Sequence, residues 1–196
     1  MYTVADKEGE VSEDPDKALE QRLIMQKKIL WIRRLREAGN VRRGHVLPHN
    51  DHGYTDGKHS FDALSILFIL HPDPSMPLIK FMLWHDMAER YAGDLPSTAR
   101  NADRVLADHY SALERQIYRS HFPMIADVFH RLTEEDMRWV RAIDSLEFKL
   151  WRADQLAAGN RHVEMTNWAK SDEWPEEVKQ FVEHGGLNWE RLPEEM

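Results

Sequence analysis

The apolar run Leu78-Ile79-Lys80-Phe81-Met82-Leu83-Trp84 ends in an imidazole and a carboxylate side by side, His85-Asp86. Such a run reads as a buried helix, and burying that pair costs free energy unless something compensates it. A divalent cation is the simplest compensation. Adjacent helical residues point about 100° apart, so the two heads can reach one ion from either side. Glu89 stands one helical turn beyond His85 on the same face. Asp94 follows Gly93, where the chain can turn back toward that face. One short stretch therefore offers a metal-ligand pair and two further carboxylates.

The pattern elsewhere is helical too. Residues 1–13 are polar, acidic and aperiodic, and read as a flexible arm ahead of a single domain over 14–196. Asp14-Pro15 looks like an N-cap with proline at the first helical position. The helix it opens runs to about Ala38 with Leu19, Leu23, Ile24, Leu30, Trp31 and Leu35 apolar, and Gly39-Asn40 stops it. Residues 40–57 form a long loop rich in Gly, Asn, His and Arg, a length that points to function. A helix is expected from near His59 to just before His71-Pro72, with Phe61, Leu64, Ile66, Leu67 and Ile69 apolar. The next starts at Ser75-Met76-Pro77 and is expected to hold His85, Asp86 and Glu89. Residues 101–120 read as a helix that Phe122-Pro123 interrupts. Thr133-Glu134-Glu135-Asp136 resembles a capping box with Asp in place of Glu. It opens a strong helix that ends near Gly159-Asn160, and Pro175 stands at the start of a last short one. No alternating strand pattern appears. The fold class is all-α, a bundle of about six to eight helices.

Composition narrows the function classes. The sequence has no cysteine, which removes disulfides, thiolate chemistry and zinc-finger sites. A net charge of −8 argues against broad nucleic-acid binding, because that needs a basic footprint. No stretch of about twenty apolar residues is present, so no spanning helix and no membrane partner are expected. No signal peptide is visible in the acidic N-terminal residues, and a cytoplasmic location is expected. Seven tryptophans and apolar helix faces point to a homo-oligomer, a dimer or higher.

Four candidate metal ligands come from successive helices: His59, His85, Asp86 and Asp144. Asp144 sits between Ile143 and Leu146, where an unpaired carboxylate would be destabilising. The order is His, then His-Asp, then Asp. With His-Asp-x-x-Glu-x-x-x-Gly-Asp-Leu-Pro over residues 85–96, that order resembles the HD-domain phosphohydrolase superfamily, most of all the bacterial 5′-deoxynucleotidases and their phage-encoded relatives, some of which act on dATP. Val41-Arg42-Arg43 ahead of His59-Ser60 is similar to a segment those proteins carry. The stretch from Ala142-Ile143-Asp144-Ser145-Leu146 to Asn160 looks like their last metal helix. The resemblance spans roughly residues 38–160.

The resemblance implies an HD-domain bundle and one divalent metal held by His59, His85, Asp86 and Asp144. It implies that Glu89 and Asp94 position or deprotonate the attacking water. Carboxylate and imidazole donors suit Mn, Co, Mg, Zn or Fe, so the identity stays open. Arg43 matches an arginine expected to touch phosphate or sugar. Arg100 falls where relatives carry a lysine for phosphate, and Ser97 where they carry a small hydroxyl residue. Lys58 is a lesser candidate. Tyr54 can stack on a base or serve as packing. Gly44 stands where relatives place an aromatic residue against the deoxyribose, so that wall of the sugar pocket is missing here.

The implied substrate is a nucleotide. Hydrolysis of deoxynucleoside 5′-monophosphates to nucleoside and phosphate leads. A dATP-directed triphosphohydrolase releasing tripolyphosphate uses the same ligands and is the alternative. A more distant one is an HD-type di-iron oxygenase, which needs two more histidines from among His109, His121 and His130.

Overall fold

The computed structural model describes residues 15–43, 53–160 and 173–184. The expected arm at 1–13 lies outside the described residues. The described helices are α1 (Pro15–Ala38), α2 (Asp56–Leu70), α3 (Met76–Trp84), α4 (Glu89–Ala92), α5 (Ser97–Ala102), α6 (Arg104–His121), α7 (Pro123–Phe129), α8 (Glu134–Ala157) and α9 (Glu176–His184). Among the described residues there is no strand beyond one isolated antiparallel bridge between Arg42 and Thr55. Only α4 and α5 are shorter than seven residues. The all-α expectation of six to eight helices is met by the seven longer ones.

The chain divides after Arg34 into two compact units. The first holds most of α1, whose Leu19, Leu23, Ile24, Ile29, Leu30 and Ile32 are exposed. The second holds everything that follows. There α2 packs on α8 and α3, and α3 packs on α7 and α8. Ala63, Leu67, Leu78, Met82, Ile143 and Leu146 are buried at that junction, joined by Trp174 and Val178 at the start of α9. Truncating one of the larger of these aliphatic side chains to Ala costs about 2–5 kcal/mol. A second cluster gathers Met87, Ala88, Ile117, Tyr118, Phe122 and Ile125 around α6 and α7.

Local signals set most boundaries. Asp103 caps α6 by accepting from the Val105 and Leu106 amides. Thr133 and Asp136 form the reciprocal capping box that opens α8.

Two elements differ from the sequence expectation. α2 begins at Asp56, three residues before His59, because the Thr55 hydroxyl accepts from the Lys58 amide and caps it there. Gly57 is tolerated in that first turn by a close approach. Its amide donates to the Gly39 carbonyl at 3.0 Å, and a Cβ on Gly57 would meet that oxygen at 2.9 Å.

The second difference is at the metal-ligand pair. α3 stops at Trp84, and His85, Asp86, Met87 and Ala88 form a tight turn before α4. Neither glycine nor proline breaks the helix. The Tyr118 hydroxyl from α6 inserts into the hydrogen-bond ladder instead. It accepts from the Ala88 amide at 3.3 Å and donates toward the carbonyls of Trp84 (3.2 Å) and His85. The Met87 and Glu89 amides then bond three residues back, to Trp84 and Asp86. His85, Asp86 and Glu89 therefore do not share one regular helix.

Candidate metal centre

His59 is wholly buried in the second turn of α2. Its Nδ1 lies 2.5 Å from Glu147 Oε2, and the Tyr54 hydroxyl donates to the same oxygen at 3.0 Å. His85 caps α3 and its Nδ1 lies 3.0 Å from the Met82 carbonyl, which can only accept. Both Nδ1 atoms therefore carry protons, and both Nε2 atoms turn inward, as paired metal ligands do. The two Nε2 atoms are 3.4 Å apart.

The carboxylates close on the same point. Asp86 Oδ2 is 3.5 Å from His59 Nε2 and 3.2 Å from His85 Nε2. Asp144 Oδ1 on α8 is 3.0 Å and 3.6 Å from the same two atoms. His59, His85 and Asp86 place their ligand atoms within 4.8 Å of one another. Asp144 joins through the two histidines, and its side chain, 45% exposed, is the solvent side of the group. With both imidazoles neutral, none of the four groups facing this point can donate to another, so either protons on the Nε2 atoms or a cation must lie between them. The donor set fits a divalent metal.

The surrounding charges favour positive charge at this point. Burial alone would lower the His59 pKa, but hydrogen bonds with Asp144 and Glu147 and the Asp86 charge push it up to about 10. His85 is also raised, against burial, by Asp86 and Asp144. Burial opposes ionisation of Asp86, yet Arg43, His85 and His59 hold it below its ordinary value. Asp144 is held well below against the same opposition by its hydrogen bonds to both histidines.

A second group of charges adjoins the first. Arg43 Nη1 contacts Asp86 and lies 3.6 Å from Asp56 Oδ1 and 4.0 Å from Glu89 Oε1. Burial and the charges of Asp86 and Asp56 push the Glu89 pKa up to about 11, with Arg43 opposing. Burial and the Asp86 charge push Asp56 up to about 7, opposed mainly by Arg43. Glu89 therefore holds a proton, and both Asp56 oxygens and Glu89 Oε2 lie buried without a hydrogen-bond partner among the described residues.

The other expected residues fall as follows. Asp94 lies beyond Gly93, whose φ of +76° is one that L side chains rarely adopt. The Tyr110 hydroxyl fixes the Gly93 carbonyl, and Asp94 is near enough to raise the proton affinity of Glu89. Arg100 is exposed, its guanidinium 5.6 Å from the Tyr110 ring centre. Lys58 pairs with Asp62 one turn along α2. Tyr54 is buried, stacked on Trp151 at 4.3 Å and bonded to Glu147, so it is packing and not an open stacking platform. Ser97 is the first residue of α5. Gly44 lies outside the described residues. His109 is exposed, His121 stacks on Tyr91 at 4.3 Å and His130 caps α7. None of these three joins the metal-competent group found among the described residues.

Sequence reasoning missed Glu147 and Asp56. Both had a signal: Glu147 is three residues after Asp144 and Asp56 three before His59, each on the ligand's own helix face. No family model, curated protein or solved structure matches this chain.

Proposed function

We propose that this chain is a metal-dependent phosphohydrolase of the HD type, hydrolysing deoxynucleoside 5′-monophosphates to nucleoside and phosphate. The observation that carries the reading is the convergence of His59, His85, Asp86 and Asp144 on one point. These are the residues the motif resemblance designates, brought together from α2, the end of α3 and α8.

A divalent cation held by His59, His85, Asp86 and Asp144 would supply Lewis acidity for a phosphoryl oxygen and for water. Glu89 takes and returns the proton. Its proton affinity is raised first by burial and then by the charges of Asp86 and Asp56, so neutralising Asp86 lowers it in the direction useful for acid–base work. Arg43 offers a planar guanidinium beside the ligands, and its fork matches two phosphate oxygens. Asp94 supports Glu89 from the adjoining turn. Self-association belongs to the same reading, favoured by the exposed apolar side chains of α1. A monomer mass by light scattering would remove that part.

The test is turnover of dAMP and dATP by the purified chain with Mn, Co, Mg, Zn or Fe, with products separated by chromatography. Nucleoside and phosphate are expected from dAMP. Tripolyphosphate from dATP as the main product replaces the monophosphatase with a triphosphohydrolase. Two irons per chain by metal analysis points to the oxygenase, and no turnover with any cation removes the phosphohydrolase reading.

A further inference from the structure

The His59 ring is held by a chain of three buried groups. Tyr54 is 1% exposed, Glu147 2% and His59 0%. Glu147 Oε2 receives two hydrogen bonds, from the Tyr54 hydroxyl at 3.0 Å and from His59 Nδ1 at 2.5 Å. A buried carboxylate without partners would be strongly destabilising, so this one is retained with both donors in place. Tyr54 is itself fixed twice. Its ring stacks on Trp151, one helical turn beyond Glu147 on α8, with 13° between the planes. Its carbonyl accepts from the Arg43 amide at 3.1 Å. The hydroxyl keeps its proton, since burial and the Glu147 charge both raise its pKa. It can only serve Glu147 as a donor.

From this we infer that Glu147, anchored by Tyr54, is the positioning residue that orients His59 and strengthens it as a metal ligand. The inference rests on the metal-centre reading above. A carboxylate on the far nitrogen fixes the ring plane and the tautomer, and draws the imidazole toward imidazolate, which makes Nε2 a better donor. Asp144 and Glu147 lie three residues apart on α8, so one helix supplies a candidate ligand and the group that orients another. His85 has only a main-chain carbonyl behind it. The two histidines are therefore unequal donors, and His59 is the stronger.

The experiment measures Zn²⁺ affinity of the full-length chain by competition with a chromophoric chelator. It compares wild type, Glu147→Gln and Tyr54→Phe. NMR of the Zn²⁺-loaded proteins follows the Nδ1 proton of His59. Glu147→Gln is expected to weaken binding by about ten- to a hundredfold, and to move the His59 Nδ1 proton resonance upfield as the carboxylate partner is lost. Tyr54→Phe keeps the carboxylate and is expected to weaken binding by about fivefold, the worth of one hydrogen bond. If Glu147→Gln does not fold, the Tyr54→Phe affinity decides. A wild type that binds Zn²⁺ alongside a folded Glu147→Gln, or failing that a Tyr54→Phe, of unchanged affinity overturns this inference alone. A wild type that takes up no Zn²⁺ overturns it together with the metal centre.

Discussion

Tyr118 sits on α6 and His85 in the turn that follows α3, yet the hydroxyl of the first bonds the main-chain carbonyl of the second. That contact, with the Ala88 amide bonded to the same oxygen, ends α3 where the ligand pair begins. Tyr118→Phe keeps the ring in its cluster and removes the hydroxyl. The Ala88 amide and His85 carbonyl lose a buried partner, at a cost of about 1–3 kcal/mol. The α3 ladder is then free to re-form through residues 85–88, which moves Asp86. Urea melts should show the loss of stability, and Mn²⁺ titration a weaker site. An unchanged Mn²⁺ affinity would mean that the turn persists without the hydroxyl.

Gly39 and Gly57 give a paired prediction. A Cβ on Gly57 meets the Gly39 carbonyl oxygen at 2.9 Å, whereas a Cβ on Gly39 meets nothing nearer than 3.6 Å. Gly57→Ala should destabilise by about 1–3 kcal/mol, the range for overpacking. Gly39→Ala should be far milder. Thermal melts of the two variants decide it, and equal losses would contradict the close approach.

Glu89 carries the clearest conflict between stability and chemistry. Its folded pKa, pushed up to about 11 by burial and by Asp86 and Asp56, lies above that of an unfolded glutamate. Its contribution is present in full below the unfolded value near 4.5 and falls away as pH rises toward 11. Glu89→Gln removes the ionisation and keeps the size and shape of the side chain. The metal-free variant should melt higher than wild type at pH 8, while turnover drops by about 10²–10⁴-fold. A variant that melts lower would show the carboxyl to be ionised and well paired.

Metal uptake should depend steeply on pH. In the metal-free protein the His59 pKa is pushed up to about 10 and His85 is also raised. A cation competes with those protons and releases them, so affinity should climb from pH 6 to pH 8 and beyond. Stability of the metal-free chain runs the other way. The His59 contribution is full below the unfolded value near 6.5 and disappears as pH passes 10. Calorimetry of Mn²⁺ binding in two buffers of different ionisation enthalpy counts the released protons. Zero release would place the cation elsewhere.

The fold was legible where pattern and cap coincide. Thr133 and Asp136 mark the start of α8, and its apolar spacing carries to Trp151 without interruption. The ligand pair was legible because His85-Asp86 closes an apolar run. The α3 break was not, since its cause is a side chain from α6, which leaves no trace in residues 85–88. Glu147 and Asp56 escaped for a related reason. Each reads as an ordinary helical acid until the third dimension puts His59 or Glu89 against it. Arg43 was legible as a cation in an unusual loop, but its contact with Asp86 is tertiary.

Because the four converging side chains come from segments up to 85 positions apart (His59 to Asp144), they form a set only while α2, α3 and α8 stay docked. A cation captured there would act as a rivet on the whole second unit. At a free concentration one hundred times its Kd it would add about 2.7 kcal/mol to the unfolding free energy. The lifetime of the folded chain would then track how much of that ion its surroundings provide.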